Sequence, residues 1–117
     1  ISRAVMEGTA FELKRKIQEL AKAGISAERI TMVGGPSESP IWPLIVAEIL
    51  GLELRLINGQ NAGAIGAAIL AGIGVGMFKD ELEAFSTMKE NVTCLSPSTS
   101  AVSRYSSIYE EYLETFQ

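Results

Sequence analysis

The sequence predicts an α/β fold in which helices pack on a sheet. Helical patterns alternate with two short strand patterns in the order helix, strand, helix, strand, helix, which is typical of an α/β layer. The 117 residues fit one domain, and 47% apolar with 21% charged residues exclude a disordered chain. Because the chain begins with Ile1 inside a helical pattern, we expect residues 1–117 to be a single-domain fragment of a longer protein.

The first helix is predicted over residues 3–23. Its apolar residues recur at the 3.6-residue period, and Gly24 supplies a C-terminal stop. The apolar stripe consists of Met6, Ala10, Leu13, Ile17, Leu20 and Ala21. The carboxylates of Glu7, Glu12 and Glu19 follow a surface spacing, so we expect them to be solvated.

A strand is predicted over residues 30–33, directly before Gly34. The run is short and largely apolar, as expected of a strand that is buried on both faces. A second helix is predicted from residue 39 to residue 50, with Ser39 as its N-cap and Pro40 at its first position. Apart from Glu48 this helix carries no charge, so most of its circumference should be buried.

A second strand is predicted over residues 53–56, where polar and apolar residues alternate as in a half-exposed edge strand. Asn58-Gly59 predicts a turn, and a third helix follows over residues 61–75. Residues 79–90 are rich in charge and predict helix or loop. Residues 91–100 contain proline and several hydroxyl residues, and predict an irregular crossing segment.

The C-terminal part of the chain, from about residue 101 to residue 117, predicts a helix with one aromatic face. The apolar residues that recur there at helical spacing are Tyr105, Ile108, Tyr109, Tyr112, Leu113 and Phe116. Because such a face needs cover from water, we expect this helix to dock on the rest of the fold.

Residues 56–78 form a run of 23 residues without a charge, which is long enough to cross a bilayer. Three amide side chains shorten the apolar part to 17 residues, namely Asn58, Gln60 and Asn61. Small residues recur every four positions at Gly63, Ala67 and Ala71, and such a face lets a helix approach its neighbour closely. The pattern therefore favours a buried helix of a soluble protein over a membrane span.

The composition excludes several classes of chemistry. With no His in the chain, Ser–His and Cys–His nucleophilic pairs and His-ligated zinc are excluded, and Cys94 alone cannot form a disulfide within the chain. A net charge of −4 without a cluster of Lys and Arg argues against a nucleic-acid partner. The single cysteine is consistent with a reducing cytoplasm.

The segment from Val33 to Ser39 is the best candidate for a binding site. It follows a strand and precedes a helix, and ligands of α/β sheets bind at the carboxyl ends of strands. Gly34 and Gly35 carry no Cβ, so a flat ligand can lie against bare main chain. The segment lacks the lysine of a phosphate-binding P-loop. A tight strand-to-helix turn without a ligand explains the same residues, and both interpretations stay open here.

Two long runs carry a specific resemblance, ITMVGGPSESPIWPLIVAEILG at residues 30–51 and NAGAIGAAILAGIGVGMF at residues 61–78. They resemble the C-terminal domain of the FGGY carbohydrate kinases, closest to the xylulokinase-like branch. RAVMEGTAFELK at residues 3–14 and the three C-terminal tyrosines follow that family's order as well. The resemblance implies the actin-like ATPase (ribonuclease H-like) fold, with this chain as the C-terminal nucleotide-binding part of a two-domain sugar kinase.

The resemblance also implies which residues bind the nucleotide. Gly34, Gly35 and Pro36 would lie against the adenine and ribose through backbone contacts, and Ser39 falls where relatives often place a small polar residue near the nucleotide. Relatives carry Asn in some cases at the position of Ser39, so this contact should rest mainly on backbone. Residues 63–68 would press against the sheet beside the nucleotide cleft, and Trp42 would pack its own helix.

The activity implied by the resemblance is transfer of the γ-phosphoryl group of ATP to a hydroxyl of a ketopentose, with Mg²⁺. The aspartates for these steps would lie in upstream sequence, because Asp80 is the only Asp here and lies away from the strand-end segment. We therefore assign no catalytic and no metal-binding residue to this chain, and expect the fragment alone to be inactive.

The expected partners follow from the same reading. They are ATP or ADP, and a sugar held through the missing N-terminal domain, with no nucleic acid and no membrane. A fragment that exposes a former domain interface is also expected to self-associate. The alternative function is a non-enzymatic interaction module, which packs a partner chain through the small-residue helix and the aromatic C-terminal helix.

Overall fold

The computed structural model describes residues 1–57, 59, 61–88 and 92–116 and contains five helices and three strands there. The helices are α1 (Ser2–Lys22), α2 (Trp42–Leu50), α3 (Ala62–Gly74), α4 (Glu81–Ser86) and α5 (Thr99–Glu114), with a 3-10 turn at Gly35–Glu38. The strands are β1 (Arg29–Val33), β2 (Glu53–Ile57) and β3 (Val92–Leu95). The α/β prediction is confirmed.

The three strands form one sheet in the order β1-β2-β3. β1 pairs with β2 in parallel, from Arg29 opposite Glu53 to Val33 opposite Ile57. β3 runs antiparallel to β2, with Leu54 opposite Leu95. The prediction of β2 as an edge strand is therefore wrong, because β3 forms within residues 91–100, where an irregular segment was expected, and pairs with the free side of β2.

The core lies between the sheet and a layer of three helices. α2 packs over β2 and is flanked by α1 and α5. Ile45, Ala47 and Ile49 of α2 and Leu54 of β2 are almost completely buried, between 0 and 1% exposed. The prediction that α2 buries most of its circumference is confirmed, because a helix with a single charged residue can be surrounded by its neighbours on several sides.

The other face of the sheet is open in the described part of the chain. Burial alternates along β1, with Ile30 and Met32 turned partly inward and Arg29, Thr31 and Val33 exposed. The prediction that β1 is buried on both faces is therefore wrong. An apolar strand sequence shows that both faces can be covered, but here helices cover only one of them.

α3 does not return to cover the open face. A Cβ on Gly63 or Gly66 would meet no atom within 4 Å, so the prediction that residues 63–68 press against the sheet is wrong. Close packing occurs only near the end of this helix, where a Cβ on Gly72 would lie 2.8 Å from a ring carbon of Phe78. Among the described residues, no helix is both long and apolar enough to cross a membrane.

α5 docks on α1 through aromatic rings and hydroxyl groups, which confirms the predicted aromatic-faced helix. The ring of Phe11 lies 5.1–6.3 Å from the rings of Tyr105, Tyr109 and Tyr112. Phe11 is 5% exposed, although it lies beside the predicted stripe of α1 and not in it. Leu13 and Leu20, which belong to that stripe, are instead 39% and 49% exposed.

The tyrosine hydroxyls of α5 donate hydrogen bonds to α1. Tyr105 donates to Glu7 at 2.7 Å and Tyr112 donates to Glu12 at 2.8 Å. Tyr109 donates to Gln18 at 2.8 Å. The prediction that Glu7 and Glu12 are simply solvated is therefore wrong, because their partners lie about a hundred residues away and leave no local signal.

These contacts favour the charged form of both carboxylates. Hydrogen bonds from Arg15 and Tyr112 lower the pKa of Glu12 from 4.5 to about 2. Partial burial alone would raise the pKa of Glu7, but hydrogen bonds from Tyr105 and Arg3 outweigh it and the pKa is lowered. The ionised carboxylates therefore stabilise the docking of α5 on α1.

We expect the stability supplied by Glu12 to depend on pH. A carboxyl whose pKa is lower in the folded state stabilises the fold above its unfolded pKa of 4.5 and loses that effect as the pH falls toward 2. Urea denaturation at several pH values should show that the free energy of unfolding falls over this range. The fall should be smaller in Glu12→Gln. Glu110→Gln, on the exposed side of α5, is the control. If the free energy of unfolding of Glu12→Gln depends on pH as steeply as that of the original chain, ionised Glu12 does not stabilise the fold.

We expect Phe11 to contribute far more to folding than the predicted stripe residue Leu20. Phe11→Ala should lower the free energy of unfolding by about 3–5 kcal/mol, because it removes a buried ring and leaves a cavity. Leu20→Ala, at a half-exposed position, should cost less than about 1 kcal/mol. If chemical denaturation shows that Phe11→Ala and Leu20→Ala lower the free energy of unfolding equally, α1 does not pack mainly through Phe11.

Candidate functional site

The carboxyl ends of β1 and β2 lie side by side, and a glycine follows each strand. Gly34 follows Val33, and Gly59 lies two residues beyond Ile57. A Cβ placed on Gly59 would lie 3.7 Å from the backbone nitrogen of Gly34, so the two strand-end loops are in near contact. The parallel register produces this arrangement, because it brings both strands to the same edge of the sheet. We call this place the strand-end site.

Gly34 is required by the backbone itself. Its φ of 89° and ψ of −174° lie in a region that is essentially restricted to glycine. This conformation turns the chain out of β1 and into the 3-10 turn, where the backbone N–H of Ser37 donates to the carbonyl of Gly34 at 3.0 Å. A side chain at residue 34 would strain the turn whatever space surrounds it.

Gly35 is different, since neither its backbone nor its packing requires a glycine. It is exposed, it is not among the glycines with positive φ, and a Cβ on it would meet no atom within 4 Å. Pro36, which follows, is exposed as well. Among the described residues, no side chain lies within 4 Å of a Cβ placed on Gly35, so a strip of main chain is accessible there beside the end of β1.

Ser39 lies at the far end of the 3-10 turn and connects to α2. Its hydroxyl oxygen accepts hydrogen bonds from the N–H groups of Trp42 at 3.2 Å and Ile41 at 3.4 Å. The prediction that α2 starts at Ser39 is wrong by three residues, because a residue before proline is disfavoured from helical backbone and Ser39 is extended. The hydroxyl proton of Ser39 remains available as a donor.

Trp42, the first residue of α2, is half-buried and packs against the core. This position agrees with the expectation that it packs its own helix. Its side chain also lines two apolar cavities of about 370 and 410 Å³ along α1, which share Thr9 and Trp42 and so form one groove. Threonine and serine side chains supply the few polar groups of this groove, and Pro36 of the strand-end site lines its larger cavity.

Two residues of the strand-end site were not singled out in the sequence. Ser37 is 9% exposed, and its hydroxyl lies 2.7 Å from the carbonyl of Gly34 and 3.2 Å from that of Ile57. Gly59 was interpreted only as part of the Asn58-Gly59 turn, of which Asn58 lies outside the described residues. A signal for Gly59 did exist, because it follows the second parallel strand much as Gly34 follows the first.

Apart from the carboxylate of Glu38, the described residues of the strand-end site from Gly34 to Ser39 offer uncharged main chain and hydroxyl groups. Asp80 lies elsewhere, where its carboxylate accepts a hydrogen bond from the N–H of Glu83 at 2.9 Å and caps α4. Within the described part of the chain, no three carboxylate or thiol side chains come together as metal ligands. The arrangement can bind a flat ligand by stacking and backbone hydrogen bonds.

Comparison with known proteins identifies a family for this chain. Residues 1–75 match the family model described as the C-terminal domain of the FGGY family of carbohydrate kinases. A ribulokinase from Mycolicibacterium smegmatis is 30% identical over 113 residues, and a xylulose kinase from Staphylococcus epidermidis is 32% identical over 120. These matches include 96% and 99% of this chain, but only 20% and 24% of the relatives.

The fold is shared with solved structures as well. The ligand-bound xylulose kinase from Lactobacillus acidophilus matches 97% of this chain with a TM-score of 0.77 and 24% identity. This chain corresponds to 23% of that structure, so it spans about a quarter of a known kinase. The chain belongs to the FGGY family of carbohydrate kinases, and its residues 1–75 match the C-terminal domain of that family.

Proposed function

We propose that this chain forms the adenosine-binding part of an ATP-dependent sugar kinase. The observation that carries the proposal is the accessible main chain at Gly34 and Gly35, at the carboxyl edge of two parallel strands. Gly34 is explained by the backbone, but the fold gives no reason for a glycine at residue 35. Close approach of a ligand to the main chain supplies that reason.

The proposed contacts are few and local. The purine lies against the peptide units of Gly34 and Gly35, with the exposed ring of Pro36 beside it. Ser39 can donate its hydroxyl proton, because its oxygen already accepts hydrogen bonds from α2. α3 begins at the same edge, with the N–H of Ala62 donating to the carbonyl of Gly59 at 3.0 Å. The positive end of its dipole is compatible with a phosphate-bearing ligand.

The proposed substrate of the whole kinase is a ketopentose. The names of the matched relatives, xylulose kinase and ribulokinase, support this class, since both sugars are ketopentoses. Phosphoryl transfer needs Mg²⁺ and a group that orients the acceptor hydroxyl. In this chain Asp80 caps a helix, and Glu7 and Glu12 bind tyrosines of α5. We therefore place the base, the sugar site and most Mg²⁺ ligands outside residues 1–117, and propose that the chain alone is inactive.

Residues 1–117 would then act as a single nucleotide-binding unit of a two-domain, cytoplasmic kinase. The alternative function, an interaction module, has support from the exposed apolar surface of α3, where Leu70 is 72% exposed. The aromatic helix does not offer the second surface that this alternative needs. Its Tyr105 and Tyr109 are buried against α1 within the same chain. Nucleotide binding separates the two functions.

We also propose that the 117-residue chain self-associates through β1. This strand is an edge of the sheet, and an edge offers unpaired backbone groups to another strand. Antiparallel pairing of two copies about Thr31 would bring Ile30 opposite Met32 of the second copy and Arg29 opposite Val33. No like charges would then face each other, and the apolar groove along α1 would continue across both copies.

We expect the chain to bind ADP or ATP in isothermal titration calorimetry, and Gly35→Val to abolish the binding. A side chain at residue 35 would occupy the space of the ligand, while the open surroundings leave the fold intact. Gly74→Val is the matched control, because it places the same side chain in open space at the other end of α3. Its affinity should stay within about twofold of the original, as for a surface change away from the site. Equal affinities of the two variants would contradict the proposed site.

We expect Thr31→Lys to convert the self-associated chain to a monomer. A charged side chain in the middle of an exposed edge strand opposes strand pairing between copies. Light scattering coupled to size-exclusion chromatography measures the mass directly. Ser107→Lys, at an exposed position of α5, should leave the mass unchanged. If Thr31→Lys stays associated, the contact does not use β1.

A further inference from the structure

Ser37 connects the ends of the two parallel strands from a buried position. Ser37 is the one buried polar residue in the described part of the chain, with 9% of its surface exposed. Its hydroxyl lies 2.7 Å from the carbonyl of Gly34, after β1, and 3.2 Å from the carbonyl of Ile57, at the end of β2. A hydroxyl has one proton to donate, so the shorter contact with Gly34 is the main hydrogen bond.

The carbonyl of Gly34 therefore accepts two hydrogen bonds from the same residue. The hydroxyl of Ser37 donates at 2.7 Å and its backbone N–H donates at 3.0 Å. Both donors belong to the buried residue Ser37, so they hold this carbonyl toward Ser37. A carbonyl held from one side by two donors has little freedom to rotate.

The direction of this carbonyl sets the direction of the next N–H group. The described chain contains no cis peptide bond, and in a planar trans peptide the C=O and N–H groups point in opposite directions. With the carbonyl of Gly34 held toward Ser37, the N–H of Gly35 points to the opposite side of the turn. The strand-end site thus presents a fixed hydrogen-bond donor.

Two adjacent glycines would not keep this orientation by themselves. Glycine adopts positive and negative φ with similar ease, so the peptide between Gly34 and Gly35 can rotate as a unit at low cost. Rotation would turn the carbonyl away from Ser37 and the N–H toward it. A ligand that needs the donor would then bind only the fraction of molecules in the correct orientation.

We propose that Ser37 is a positioning residue, which aims the Gly35 N–H group at a hydrogen-bond acceptor of the bound nucleoside. The acceptor is a ring nitrogen of the base or a ribose oxygen, because these lie within reach of main chain beside a stacked purine. This inference rests on the proposed function. Ser37 does not touch the reacting phosphate and acts through the peptide unit of Gly34 and Gly35.

The test compares Ser37→Ala with Ser37→Cys in the 117-residue chain. The alanine variant removes the donor, and the cysteine variant fills similar space with a weak donor, which keeps the turn packed if alanine prevents folding. Ser106→Ala is the matched control, because its hydroxyl donates to the carbonyl of Val102 at 2.9 Å on α5. Affinity for ADP is measured by calorimetry, and the Gly35 amide is observed by NMR in the ligand-free chain.

We expect Ser37→Ala to weaken ADP binding by about tenfold, as when the competent orientation becomes a minor population. The ADP affinity of Ser37→Cys should lie between the affinities of Ser37→Ala and the original chain. The ADP affinity of Ser106→Ala should equal that of the original chain. The Gly35 amide signal should shift or split in Ser37→Ala but not in Ser106→Ala. Unchanged ADP affinity in both Ser37 variants would overturn the inference.

The amide signal separates this inference from the proposed function. If the original chain binds neither ADP nor ATP, the proposed function fails, and the Gly35 signal alone then decides whether Ser37 sets the peptide orientation. A single, unshifted signal in Ser37→Ala would overturn the positioning role whether or not a nucleotide binds.

Discussion

The parallel pairing of β1 with β2 is the constraint on which the site depends. It aligns Val33 with Ile57, so both strands end at the same level and their glycine loops come into near contact. α2 connects the two strands and fills the core with the apolar side chains of Ile45, Val46, Ala47 and Ile49. A shift of one register position would separate Gly34 from Gly59 and move the hydroxyl of Ser37 away from the carbonyl of Ile57.

Within the strand-end site, neighbouring residues serve different purposes. Gly34 satisfies a backbone geometry that other residues avoid, and Ser37 fixes the carbonyl of that glycine from the interior. The hydroxyl oxygen of Ser39 accepts a hydrogen bond from the N–H of Trp42, the first residue of α2, and so connects the far end of the turn to this helix. Gly35 is different, because neither its backbone angles nor its packing in the described fold requires a glycine, and its main chain is exposed. Residues with structural roles thus surround the exposed main chain of Gly35.

Local sequence patterns were sufficient for a large part of the fold. The 3.6-residue period found α1, the aromatic spacing found α5, and the change from an apolar run to Gly34-Gly35 found the end of β1. These features depend on neighbours within a few residues, so the sequence carries their signal directly. The local patterns failed for β3 and for the role of β2, because a strand's place in a sheet depends on which distant strand pairs with it.

The sequence by itself determined α1, α2, α3 and α5, the glycine turn after β1 and the resemblance to sugar kinases, since each rests on residues close together in the chain. Only the tertiary structure decided that Glu7 and Glu12 bind tyrosines of α5, that α3 leaves the sheet uncovered, and that Ser37 joins two strand ends. The physical reason is distance along the chain. Hydrogen bonds between residues 20 to 100 positions apart exist only after packing brings their donors and acceptors together.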